Sequence, residues 1–148
     1  MSGASNGARG SLQEDIIRNY RAQYNPLNPD NYRYYNYEFS EIIKQDGKDL
    51  VVIDIKPKKN SRKAILKMKV FMEEETHVIV RCDFSISDRG LRMIERKDKG
   101  LAHAIMSVVV AANMHYKDFR YSITYAPYKH KWHLNRVTRH WESYVDSK

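Results

Sequence analysis

Cysteine occurs once in the 148 residues, as Cys82. That excludes an internal disulfide framework and a zinc site built from several cysteines. On an inward strand position Cys82 reads as a small buried hydrophobe rather than a reactive thiol. The chain has no Gly-rich phosphate loop, no Gly-x-Ser-x-Gly elbow and no His-Glu-x-x-His helix, so no catalytic constellation stands out. His130 and His133 fall on opposite faces of a strand, and the remaining histidines are scattered, so no metal site or cofactor is expected. No run is long and apolar enough to span a bilayer as a helix. Residues 1–10, MSGASNGARG, lack the apolar core of a signal peptide and read as a disordered leader or a cloning scar.

What is present first is charge. Lys and Arg number 26 against 18 Asp and Glu, a formal charge of +8. Such a balance favours acidic partners, whether nucleic acid, anionic lipid or lipopolysaccharide, without choosing among them. The length is that of about one domain, able to bury roughly 70% of its unfolded surface. Residues 11–148 are therefore expected to form a single α+β domain.

Alternation of period two organises the middle of the chain. Asp46-Gly47 signals a tight hairpin, and Val51, Ile53 and Ile55 follow on one side of a strand ended by Pro57. Leu66, Met68, Val70 and Met72 form the next inward set. Val78, Val80, Cys82, Phe84 and Ile86 form the third, with Arg81, Asp83 and Ser85 outward. Phe119, Tyr121, Ile123 and Tyr125 mark a further strand, residues 126–130 a turn, and residues 131–144 the last strand. In that strand the inward set shifts from Trp132 and Leu134 to Val137 and Trp141, which predicts a bulge near Asn135. Residues 101–114 lean towards a strand, or a short helix leading into one, and residues 91–99 show no clear period. Ser11-Leu12-Gln13-Glu14 is a capping-box pattern, which predicts a helix over residues 12–24, stopped by Asn25-Pro26. The expected architecture is a curved, mostly antiparallel sheet of roughly seven strands, half-barrel-like, with one or two helices on one face.

Three groups of side chains are candidates for binding. Tyr35, Tyr37 and Phe39 share one face of a strand, where they serve as a stacking platform or as cross-strand packing. Met68 and Trp132 extend this apolar set, with Trp132 expected in the core under the amino-terminal helix. Lys56, Lys58, Lys59, Arg62 and Lys63 form a basic patch around a loop, read as a phosphate or headgroup contact or as a solvated hairpin end. Glu73, Glu74 and Glu75 read as a solvated acidic turn.

The order of motifs also resembles a known family. It runs from Tyr34-Tyr35-Asn36-Tyr37-Glu38-Phe39 through Ile53-Asp54-Ile55-Lys56-Pro57-Lys58-Lys59 to Lys131-Trp132-His133-Leu134-Asn135-Arg136-Val137. This is similar to the region that follows the carboxypeptidase-regulatory-like domain in envelope proteins of Bacteroidota, and to the half-barrel of outer-membrane lipoprotein carriers. His133 stands where that family has Tyr, and the family offers no catalytic residues to carry over. The resemblance implies a non-enzymatic accessory domain of the periplasm or outer membrane, within a longer secreted protein. Its partners would be an envelope protein or a lipid-like ligand on the sheet, with an anionic surface as a further one. The alternative is a basic nucleic-acid-binding module, cytoplasmic if the chain is complete as given. Nucleic acid is disfavoured because the cations alternate with acids instead of forming one stripe.

Overall fold

The computed structural model describes residues 16–22, 25–95 and 115–144. Six strands run in chain order: β1 (Tyr35–Gln45), β2 (Lys48–Pro57), β3 (Leu66–Glu73), β4 (Ile79–Ile86), β5 (His115–Tyr128) and β6 (Lys131–Tyr144). They form one antiparallel meander in the order β1-β2-β3-β4-β5-β6, open between the two edge strands. Among the described residues the strand count is six rather than roughly seven. The seventh expectation rested on residues 101–114, which lie outside the described residues, as do residues 1–10. Among the described residues no helix is long and apolar enough to cross a membrane.

The hairpins follow their turn chemistry. Asp46 (φ 52°) and Gly47 (φ 75°) form the two-residue β1–β2 turn, whose left-handed backbone matches the twist of the strands. The β5–β6 turn is also two residues, Lys129 (φ 46°) and His130 (φ 64°), shorter than the turn expected over residues 126–130. Strand β5 runs on through Pro127 because β4 pairs with it only as far as Thr124. No neighbour on that side then asks Pro127 for an N–H. The bulge expected near Asn135 is present: Thr124 pairs with Arg136 and Tyr125 with Leu134, leaving Asn135 over.

A second bulge overturns part of the expected core. Phe71 pairs with Arg81 but Met72 pairs with Ile79, so Val80 is the extra residue. Val80 therefore leaves the main core and packs with Leu50, Val52 and Phe71 on the other face. Val52, which alternates with Val51, Ile53 and Ile55, is fully buried there (0% exposed). The main core takes Ile55, Met68, Val70, Cys82 and Ile123, joined by Tyr35, Ala64 and Ile16. Phe84 is half-buried and stacks on Tyr121 with ring centroids 4.9 Å apart.

The amino-terminal segment is not the expected helix. Residues 16–22 are a run of turns. N–H donors of Tyr20, Ala22, Asn25, Asn28 and Asn31 each reach the carbonyl three residues back. Asparagine side chains supply the competing bonds. Asn25 Nδ2 donates to the Ile16 carbonyl (2.8 Å), and Asn28 Nδ2 donates to that of Arg21 (3.0 Å). Asn31 Nδ2 donates to the Asn25 carbonyl (3.0 Å). Such side-chain bonds give the backbone an alternative to the α-helical pattern. The run closes in a 3-10 helix, Pro29–Tyr34, capped by the Asn28 side chain.

The helix that does form, α1 (Asp88–Glu95), falls where the sequence shows little periodicity. The Ser87 hydroxyl accepts from the Gly90 N–H (3.2 Å), the bond of an N-cap. Gly90 lies against the chain before β3: a Cβ there would stand 2.8 Å from the Ile65 carbonyl oxygen.

Candidate functional site

The aromatic trio divides. Tyr35 is buried (2% exposed) in the main core, and its hydroxyl lies beside the Ile65 and Leu66 backbone without closing a hydrogen bond of good geometry. Burial raises its pKa, against a smaller opposing effect of those backbone groups. Tyr37 donates to the Pro26 carbonyl (2.6 Å) and packs edge-on against Tyr32 at 5.4 Å. Its pKa is pushed far up, first by burial and then by Tyr32 and Tyr35. Tyr37 thus ties the turn segment to β1. Phe39 alone of the three stands well out (65% exposed) on the edge strand. Met68 is core (3% exposed), so it offers no surface to a ligand.

The basic patch divides too. Lys58, Lys59, Arg62 and Lys63 are exposed on a loop folded around Ser61, whose hydroxyl accepts from the Ala64 N–H. Lys63 and Arg33 both approach the Tyr34 ring. Arg89 of α1 donates to the Lys59 carbonyl (2.7 Å), which ties this loop to the helix. Lys56 faces elsewhere, into a groove described below. The acidic turn is a further correction. Glu73 is buried, accepting from Lys48 Nζ (2.6 Å) and the Thr76 hydroxyl (2.9 Å). The Lys48 bond is the main cause of its lowered pKa. Glu74 and Glu75 remain exposed.

Trp132 lines a crevice of about 540 Å³ at the end of the sheet. One wall comes from the turn segment, as Ile17 and Arg18. The other comes from strand residues Ile79, Tyr125, Trp132 and Leu134, with His77, Val78 and His133 at the margin. Trp132 is half-buried. Ile17 is across the crevice, but the segment above Trp132 is the run of turns rather than the expected helix. Ile79, Tyr125 and Leu134 are the rim of the main core, so the apolar floor is continuous with it. A volume of this size suits one small apolar molecule.

The opposite face of the sheet holds a polar groove of about 520 Å³ across β2 to β6. Its floor follows Ile55, Met68, Phe84 and Tyr121, whose side chains belong to the cores on the far side. Two cross-strand rows border it. The first runs Asp54, Lys69, Asp83, Ser122 and Thr138. Here Lys69 Nζ lies 3.7 Å from Asp54, and Arg81 grips Asp83 through two bonds of 2.8 and 2.6 Å. The Ser122 hydroxyl donates to the same Asp83 oxygen as Arg81 Nε (2.7 Å). The second row carries Lys56, Lys67, Ser85, Arg120 and His140. Lys67, Arg120 and His140 were not candidates in the sequence, since only the pairing register sets them side by side.

Among the described residues no group of His, Cys, Asp and Glu side chains is placed to hold a metal ion. Scans against protein-family models, curated proteins and solved structures each return no match to this chain.

Proposed function

We propose that the chain is a non-enzymatic binding domain that holds an apolar ligand, or the apolar side chain of a partner protein, in the Trp132 crevice. The observation that carries this reading is a recess of about 540 Å³ whose apolar floor is continuous with the main core. Sheet residues form one wall and a separately held segment the other, so an entering ligand displaces no core side chain. An open antiparallel sheet with a short covering segment also accords with the half-barrel carriers that the sequence resembles. On that resemblance we place the domain in the cell envelope, at the periplasm or outer membrane.

The neutral fluorophore N-phenyl-1-naphthylamine tests this directly. It is expected to show saturable emission enhancement with the native chain and to lose it in Trp132→Ala. Absence of saturation, or an isotherm unchanged by Trp132→Ala, would contradict the reading.

A further inference from the structure

We propose that the polar face carries a second, independent site, for a phosphoryl group held between Lys56 and Lys67 on one side and Arg120 and His140 on the other. The argument starts from register. Ile55 pairs with Met68, which sets Lys56 beside Lys67 one residue on. Lys67 pairs with Ser85, Ser85 with Arg120, and Arg120 with His140. Neighbouring strands lie about 4.8 Å apart, so the row spans roughly 19 Å. Like charges on directly opposed residues weaken a sheet, yet here two lysines are neighbours across the β2–β3 pair.

The adjoining row neutralises them only in part. Asp83 is occupied by Arg81 and Ser122, and Asp54 is shared between Lys69 at 3.7 Å and Lys56 at 3.9 Å. Lys67 has no ion pair among the described residues. Lys56, Lys67, Lys69 and Arg120 thus line the groove together with His140, against two carboxylates, Asp54 and Asp83. A phosphoryl group suits this arrangement better than a carboxylate. It brings up to two charges and three acceptor oxygens to donors that approach from several strands. The Ser85 hydroxyl at the centre of the row adds a neutral donor.

Free phosphates and lipid headgroups share this chemistry, and a two-armed titration separates them. In one arm the ¹⁵N-labelled chain is titrated with inorganic diphosphate near physiological salt. In the other, phosphatidylcholine vesicles with and without phosphatidic acid are co-sedimented with it. Saturable shifts at Lys67, Ser85 and Arg120 support a free phosphorylated ligand; co-sedimentation that needs both phosphatidic acid and Lys67 supports a headgroup. Lys67→Ser is expected to weaken whichever interaction occurs by about tenfold, the worth of one charged hydrogen bond. Lys44→Ser removes the same charge from the β1–β2 hairpin end, outside the groove, and is expected to leave it unchanged. Equal losses in the two variants, or no saturable response in either arm, would overturn the proposal. Binding of the neutral fluorophore in Lys67→Ser reads the Trp132 crevice separately, so the two sites fail independently.

Discussion

Along the same strands, one face of the sheet is sealed and the other is open. On the sealed face Ile55, Met68, Val70, Cys82 and Ile123 pack beneath Ile16, with the turn segment drawn down by Asn25 and Tyr37. On the open face, one residue out of phase, Asp54, Lys69, Asp83 and Ser122 bond sideways along the surface. The difference separates two tasks. Apolar burial scales with area removed from water and concentrates stability on the sealed face. Exposed ion pairs are worth little to folding, which leaves the open face free to vary its charge. The division is not uniform along the strands. At the β1–β2 hairpin end, Leu50, Val52 and Phe71 make the second face apolar as well, and the Arg81 guanidinium lies 4.7 Å from the Phe71 ring.

Neighbouring substitutions on β5 give the largest contrast. Ile123→Ala empties a fully buried position and is expected to cost about 2–5 kcal/mol in urea unfolding. Ser122→Ala, next to it but on the open face, loses one hydrogen bond to Asp83 and is expected to cost about 1 kcal/mol. Equal losses would erase the distinction between the faces.

The cover should matter nearly as much as the floor. Asn25 is buried, donates to the Ile16 and Asn19 carbonyls, and accepts from the Leu27 N–H. Asn25→Ala strands these groups, with an expected loss of about 2–3 kcal/mol. If the turn segment is only draped over the sheet, the unfolding midpoint will not move.

Gly90→Ala sets two effects against each other. Alanine favours a helix by about 1 kcal/mol. Its Cβ, however, would meet Ile86 Cγ2 at 2.5 Å and the Ile65 carbonyl at 2.8 Å. The carbonyl is backbone and has no rotamer to escape into, so net destabilisation of about 1–2 kcal/mol is expected. A more stable Gly90→Ala would mean that α1 stands further from the sheet.

The smallest effect concerns Glu73. Its pKa is lowered in the fold, so the ionised form is the one that folding favours. Its contribution is complete above the ordinary value of 4.5 and fades as pH falls through the lowered one. Glu73→Gln is expected to cost about 0.5 kcal/mol near neutrality, since Lys48 is largely solvated. That gap should close in acid, and a gap that widened there would reverse the assignment.

Much of the sheet was legible because period two survives wherever one face is wet. The slip from Leu134 to Val137 even located the Asn135 bulge. The Val80 bulge was hidden because Val78, Val80 and Cys82 continue the same alternation without interruption. The capping pattern at Ser11 suggested a helix, but Asn25, Asn28 and Asn31 recur every third residue, the spacing of successive turns. Helix α1 was obscured by Gly90, a poor helix former placed there for close packing. Of the site, Trp132 was marked by its place at the start of a strand. The Lys56–His140 row was not, because four registers must be known before those residues become neighbours.

The ligand role of the Trp132 crevice is tested most directly by mapping amide shifts of the labelled chain on adding N-phenyl-1-naphthylamine. The expected perturbations are confined to Ile17, Ile79, Tyr125, Trp132 and Leu134, with Lys67, Ser85 and Ser122 on the opposite face unmoved. Shifts centred on the polar face, or spread over the whole sheet, would contradict it.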